Sequence, residues 1–77
     1  MEELKAVNRE EMVVGNTYYD TPNAMFGTKL KFEKMTQRSC KFSIDAEDYE
    51  KSGYEKDENG YISFNRYGDE FYEKVTK

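Results

Sequence analysis

Thr28-Lys29-Leu30-Lys31-Phe32-Glu33 and Ser39-Cys40-Lys41-Phe42-Ser43-Ile44 are the two runs that decide the fold. In each, polar and apolar residues alternate, and a side-chain period of two is what a half-buried β-strand requires. Leu30 and Phe32 fall on one side, with Lys29, Lys31 and Glu33 on the other; Cys40, Phe42 and Ile44 face inward, with Lys41 and Ser43 outward. The stretch between them, Met35 to Arg38, is hairpin length, so the two strands are expected to pair antiparallel.

Toward the C-terminus, Asp45 to Lys56 is acidic and lacks alternation, which predicts a surface excursion with a helical turn over Ala46 to Tyr49 capped by Asp45. Asn59-Gly60 predicts a type I′ hairpin turn, because both central residues of that turn need positive φ. Tyr61 to Arg66 then reads as a strand with Ile62 and Phe64 inward. Tyr67-Gly68-Asp69 reads as a turn, and Glu70 to Val75 as a last strand with Phe71 and Val75 on one face and Tyr72 on the other. Toward the N-terminus, Thr21-Pro22-Asn23 is a loop, and Thr17 to Asp20 a short strand whose Tyr18 and Tyr19 face opposite sides. Asn8 is expected to cap a single helical turn that Val13, Val14 and Gly15 end.

Five or six short strands with one or two short helical turns predict a mainly β domain over residues 1–77, a small twisted antiparallel sheet that rolls into a barrel. Its expected core is Leu4, Val7, Val14, Tyr18, Leu30, Phe32, Cys40, Phe42, Ile44, Ile62, Phe64, Phe71 and Val75. Leu, Ile, Val and Phe make up only about 17% of the 77 residues, which by itself argues for disorder. Aromatic residues at 16% and a net charge of only −4 argue against it, and give a core that leans on rings.

Composition also narrows the chemistry. The chain has no His, which removes the usual imidazole base and zinc ligand. Its single Cys40 has no partner for a disulfide, a thiolate metal site or a Cys-His pair, and alternation places it in the core. These counts point to no enzyme, no cofactor and no metal, and to a reduced, cytoplasmic setting. The acidic Met-Glu-Glu start and the lack of a long apolar run point away from a signal peptide or membrane span. Glu55 to Ser63 has oxygen side chains and a glycine in the order of the first nine positions of a calcium-binding EF-hand loop. Its twelfth position, where a bidentate carboxylate must close the cation's shell, is Arg66, so the stretch reads as a turn.

Charge is polarised along the chain. Thr28 to Phe42 holds five cations against one acid, and Asp45 to Glu58 seven acids against two lysines. The acidic stretch, with Tyr49, Tyr54, Asp48 and Glu50, and the later tyrosines Tyr61, Tyr67 and Tyr72 form one candidate surface, for a protein partner, since tyrosine offers large contact area at low entropic cost. The alternative surface is Lys29, Lys31, Arg38 and Lys41 with Tyr18 and Tyr19, for phosphates and unpaired bases of a single-stranded nucleic acid or a nucleotide. Both patterns also suit plain solvated strand faces and loops.

Asn8-Arg9-Glu10-Glu11-Met12-Val13-Val14-Gly15 followed by Thr17-Tyr18-Tyr19-Asp20, then Gly27 to Phe32 and Gly60 to Phe64, resemble the small SH3-like barrel proteins, in particular the short accessory proteins of tailed bacteriophages. The resemblance covers most of the chain. It implies an SH3-like barrel and a binding role, as an inhibitor of a host or defence factor or a holder of nucleic acid. The proline-peptide groove of eukaryotic SH3 domains is not implied, as its aromatic and acidic motif set is absent and the chain has no Trp.

Overall fold

The computed structural model describes residues 3–23, 27–68 and 70–75. Six strands form one antiparallel sheet: β1 (Leu4–Val7), β2 (Thr17–Tyr19), β3 (Lys29–Met35), β4 (Ser39–Ser43), β5 (Ile62–Asn65) and β6 (Phe71–Lys74). Their spatial order is β1-β6-β2-β3-β4-β5, so β1 and β5 are the two edges of an open sheet. Between β1 and β2 lies a 3₁₀ turn, Arg9–Glu11, and between β4 and β5 a helix, α1 (Ala46–Ser52).

The β3–β4 hairpin forms as its alternation predicts, with Phe32 opposite Phe42 and Lys31 opposite Ser43. Past Phe32 the register slips by one residue, so that Lys34 faces Lys41 and Met35 faces Cys40. Glu33 is the extra residue of a β-bulge. Without it, Lys34 would point into the core and Met35 out; with it, Lys34 is exposed and Met35 packs against the core.

The sheet is strongly rolled. In a flat sheet, β6 and β4 would lie three interstrand steps apart, about 14 Å, and β6 and β5 about 19 Å. Yet the ring of Phe71 on β6 lies 4.8 Å from that of Phe42 on β4 and 5.1 Å from that of Phe64 on β5. Curling the sheet around these rings lets a chain poor in aliphatics build a core. Tyr18, Leu30, Phe32, Cys40, Phe42, Ile62 and Phe71 are buried in it, with Val7, Met12, Met35, Ile44, Tyr49, Tyr54 and Phe64 packed partly buried around them. Tyr18 and Tyr19 do face opposite sides: Tyr18 pairs with Leu30 toward the core, while Tyr19 pairs with Lys29 and Tyr72 on the outer face and is itself buried.

One open end of the roll is covered by the connection from β4 to β5. Asp45 stands at the N-cap of α1, but its side chain makes no capping bond; Glu47 and Asp48 in the first turn suit the helix dipole. The helix runs on past the expected Tyr49 to Ser52, where Gly53 at φ 77° ends it. Beyond it the Tyr54 ring packs edge-on against Phe64 at 5.3 Å, and its hydroxyl donates to Asp20 at 2.5 Å. The other oxygen of Asp20 accepts from the Thr28 amide at 2.7 Å, so β5 is tied to the end of β2.

Other expectations are modified. Asn8 does cap the 3₁₀ turn, its side chain accepting from the Glu10 amide. Val14, expected in the core, is 62% exposed, because Val13 to Asn16 forms a turn with Gly15 at φ 94° that hydrogen-bonds to the backbone of Phe32. Leu4, Val7, Ile44, Phe64 and Val75 are half-buried. The chain does turn at Asn59-Gly60, but not as type I′: Gly60 has φ 85°, and no described non-glycine residue has positive φ. Gly60 donates to the Asp57 carbonyl and Asp57 to that of Tyr61, a three-residue loop with its glycine left-handed. Leu4–Val7, not anticipated as a strand, pairs residue for residue with β6. The expected turn at Tyr67-Gly68-Asp69 is present over Tyr67 and Gly68, with Asp69 outside the described residues.

Candidate functional site

Where the two edge strands end, side chains bridge the opening between them. Arg66 directly follows β5, and Glu10 lies in the 3₁₀ turn that follows β1. The guanidinium meets the Glu10 carboxylate with two bonds, Nη2 to Oε2 at 2.8 Å and Nε to Oε1 at 3.2 Å. Its Nη1 donates to the Thr36 carbonyl at 3.1 Å, and the Arg66 carbonyl in turn accepts from Arg9. The hydrogen bond to Glu10 holds the Arg66 pKa above its ordinary value. Such a two-pronged pair fixes both side chains in one plane and orients the segments that carry them.

Those segments carry exposed apolar surface. Tyr67 follows Arg66 directly, is 72% exposed, and lies with its ring centre 5.5 Å from the Arg66 guanidinium. Its amide bonds to the Asn65 side chain at 2.9 Å, which sets the turn. Val13, 54% exposed, and Val14 begin three residues after Glu10, no more than about 10 Å of chain away. Among the described residues, Val13, Val14 and Tyr67 are the large hydrophobic side chains that stay exposed; Tyr67 adjoins Arg66, and the two valines follow Glu10 in the chain.

The tyrosine-and-acid set expected for a protein partner is not brought together. Tyr49 and Tyr54 turn toward the core. Lys56 Nζ lies 4.7 Å from the Tyr49 ring centre. Tyr61 is half-buried under Lys34 Nζ at 5.5 Å. Tyr72 is half-buried on the outer face, with its hydroxyl donating to Glu70 at 3.2 Å; partial burial first, and then Glu70, raise its pKa. Asp48 and Glu50 lie on α1, beyond the Ser43 end of β4, whereas Tyr67 lies beyond its Ser39 end, where the Arg66 amide bonds to the Arg38 carbonyl. Five residues of strand, about 17 Å, separate the two.

The basic set is also redistributed. Lys29, Lys31 and Arg38 are exposed. Lys41 is engaged by Asp57 at 3.0 Å and Ser63 at 2.9 Å. Tyr18 and Tyr19, expected to stack on bases, are 2% and 4% exposed and offer no ring face to a ligand; the Tyr18 hydroxyl accepts from the Val13 amide. Sequence reasoning missed Lys34, which the bulge turns outward, and the pairing of Glu10 with Arg66 across 56 residues, which has no local signal. The doubled polar pair Glu33-Lys34 was the trace of the first.

The acids of the Glu55 to Ser63 stretch serve the turn. Asp57 Oδ1 accepts from the Asn59 and Tyr61 amides, and Oδ2 from Lys41; the Tyr61 bond first, and then Lys41, lower its pKa. Cys40 is fully buried, and burial raises its pKa. Among the described residues, no helix is long and apolar enough to cross a membrane. Compared with family models, with curated proteins and with solved structures, the chain matches none.

Proposed function

We propose that this protein is a non-catalytic binding module that engages a protein partner through the end of the roll carrying Val13, Val14, Arg66 and Tyr67, as an inhibitor or accessory factor of the kind the resemblance to small phage proteins implies. What carries this reading is exposed apolar side chains on the two segments that a two-pronged ion pair joins. Tyrosine and arginine are among the residues most enriched at the energetic centres of protein interfaces, and anchors already ordered lose less entropy on binding. A non-catalytic role is supported by the engagement of Asp20, Glu10, Glu33 and Asp57 in structural hydrogen bonds, and by the burial of the one thiol.

The test is quantitative affinity capture from nuclease-treated lysate of the source cell, comparing the native chain with a Val14→Ser/Tyr67→Ala variant. A partner bound at the roll end is lost from the variant, with affinity falling at least about tenfold once the anchors are removed. Equal recovery of that partner by both chains overturns the assignment.

A further inference from the structure

The outer face of the sheet, which differs from the proposed protein surface in chemistry and residues, supports a second site. The bulge at Glu33 places Lys29, Lys31 and Lys34 on one side of β3, all exposed. None of the three has a carboxylate partner among the described residues; of the acids nearby, Asp57 is paired with Lys41 at 3.0 Å and Glu33 accepts from the Ser43 hydroxyl at 2.6 Å. Alternate residues on a strand stand about 6.7 Å apart, so the lysines form a row. Beside it, Thr17, Lys29, Lys31 and Ser43, together with the carboxylate of Asp45, line a depression of about 350 Å³. The ammonium groups of Lys29 and Lys31 and the hydroxyl of the exposed Thr17 suit phosphate oxygens. At the other end of the row Lys34 lies over the half-buried ring of Tyr61.

We propose that this face binds single-stranded nucleic acid, its phosphates tracking the lysine row on β3 and a base packing at Tyr61. A row of cations with an aromatic ring at its end fits a flexible strand that offers both charge and an unpaired base. An acidic peptide has the charge without the bases, and a duplex keeps its bases stacked inside. The overall net charge of −4 limits affinity at long range, so binding is weak and salt-sensitive.

The experiment is fluorescence anisotropy of a labelled twelve-nucleotide oligothymidylate titrated with the full chain at several salt concentrations. Three phosphate contacts predict a slope of log K against log salt of about −2, falling to about −0.7 in Lys29→Ala/Lys31→Ala. Lys5→Ala/Lys51→Ala, which changes net charge equally, leaves the slope near −2. Tyr61→Leu weakens binding about fivefold or more at constant slope. Circular dichroism verifies that each variant is folded. No binding at low salt, an unchanged slope in the β3 variant, or equal affinity for duplex DNA or polyglutamate each overturns the proposal. Because Val14→Ser/Tyr67→Ala leaves this face intact, its unaltered oligonucleotide binding separates this site from the protein surface.

Discussion

Removing one residue from the middle of a strand ordinarily inverts every side chain beyond it. Deletion of Glu33 is expected to do the opposite. Glu33 is the extra residue in β3, so its removal leaves Phe32 opposite Phe42, Lys34 opposite Lys41 and Met35 opposite Cys40 in an unbroken ladder. The loss is one hydrogen bond to Ser43 at 2.6 Å between half-buried side chains, worth about 1 kcal/mol. Deletion of Lys31, two residues earlier and equally polar, cannot be absorbed without exposing a core residue. Either Leu30 turns out and Lys29 in, or the bulge is used up and Phe32 turns out and Glu33 in; both expose an apolar side chain, costing about 1.5–3 kcal/mol, and bury a charge, costing several kcal/mol more. Urea unfolding followed by far-ultraviolet circular dichroism separates the two. The Glu33 deletion should unfold within about 1.5 kcal/mol of the native chain, and the Lys31 deletion at least about 4 kcal/mol below it. Equal damage from both deletions refutes the assignment of the extra residue.

Further outcomes follow from the core and its edges. Phe42→Ala, at a ring touching Phe32, Phe64 and Phe71, should cost about 3–5 kcal/mol, against a total of about 4–12 kcal/mol expected for 77 residues; a urea midpoint shift equivalent to less than about 1.5 kcal/mol contradicts the packing. Asp57 has a folded pKa below its unfolded value of about 3.9, so its stabilisation is complete above that pH and disappears as pH falls through the folded value. The melting-temperature gap between the native chain and Asp57→Asn should therefore be full at pH 6 and shrink below about pH 3.9, and a gap that widens on acidification reverses the sign. Cys40, buried and with its thiol pKa raised, should react with a disulfide reagent about a hundredfold or more slowly in the folded chain than in denaturant; comparable rates place it at the surface.

Alternation made the β3–β4 hairpin, the opposed pair Tyr18 and Tyr19, and the inward Ile62 legible in the sequence, because a period of two reports which face is buried. Leu4–Val7 was not legible: its apolar ends are three residues apart, and it becomes a strand by pairing with β6 some seventy residues away. Val14 was misplaced for a related reason, since apolar character marks burial only where the backbone turns the residue inward, and the Gly15 turn turns it out. The candidate surfaces suffered most. A tyrosine near acids reads as exposed, yet Tyr49 and Tyr54 supply core that the scarce aliphatics leave unfilled, and Tyr19 is buried beside Tyr72 on the face that composition marks as polar.

The most direct measurement is a nuclear Overhauser spectrum resolving the phenylalanine ring protons. A sheet curled on itself gives cross-peaks from Phe71 to both Phe42 and Phe64, four strands distant in hydrogen-bonding order in the latter case. If the Phe71 ring shows contacts only to residues of β1 and β2, the sheet is flat, and the meeting of Glu10 with Arg66 and the surface built on it do not exist.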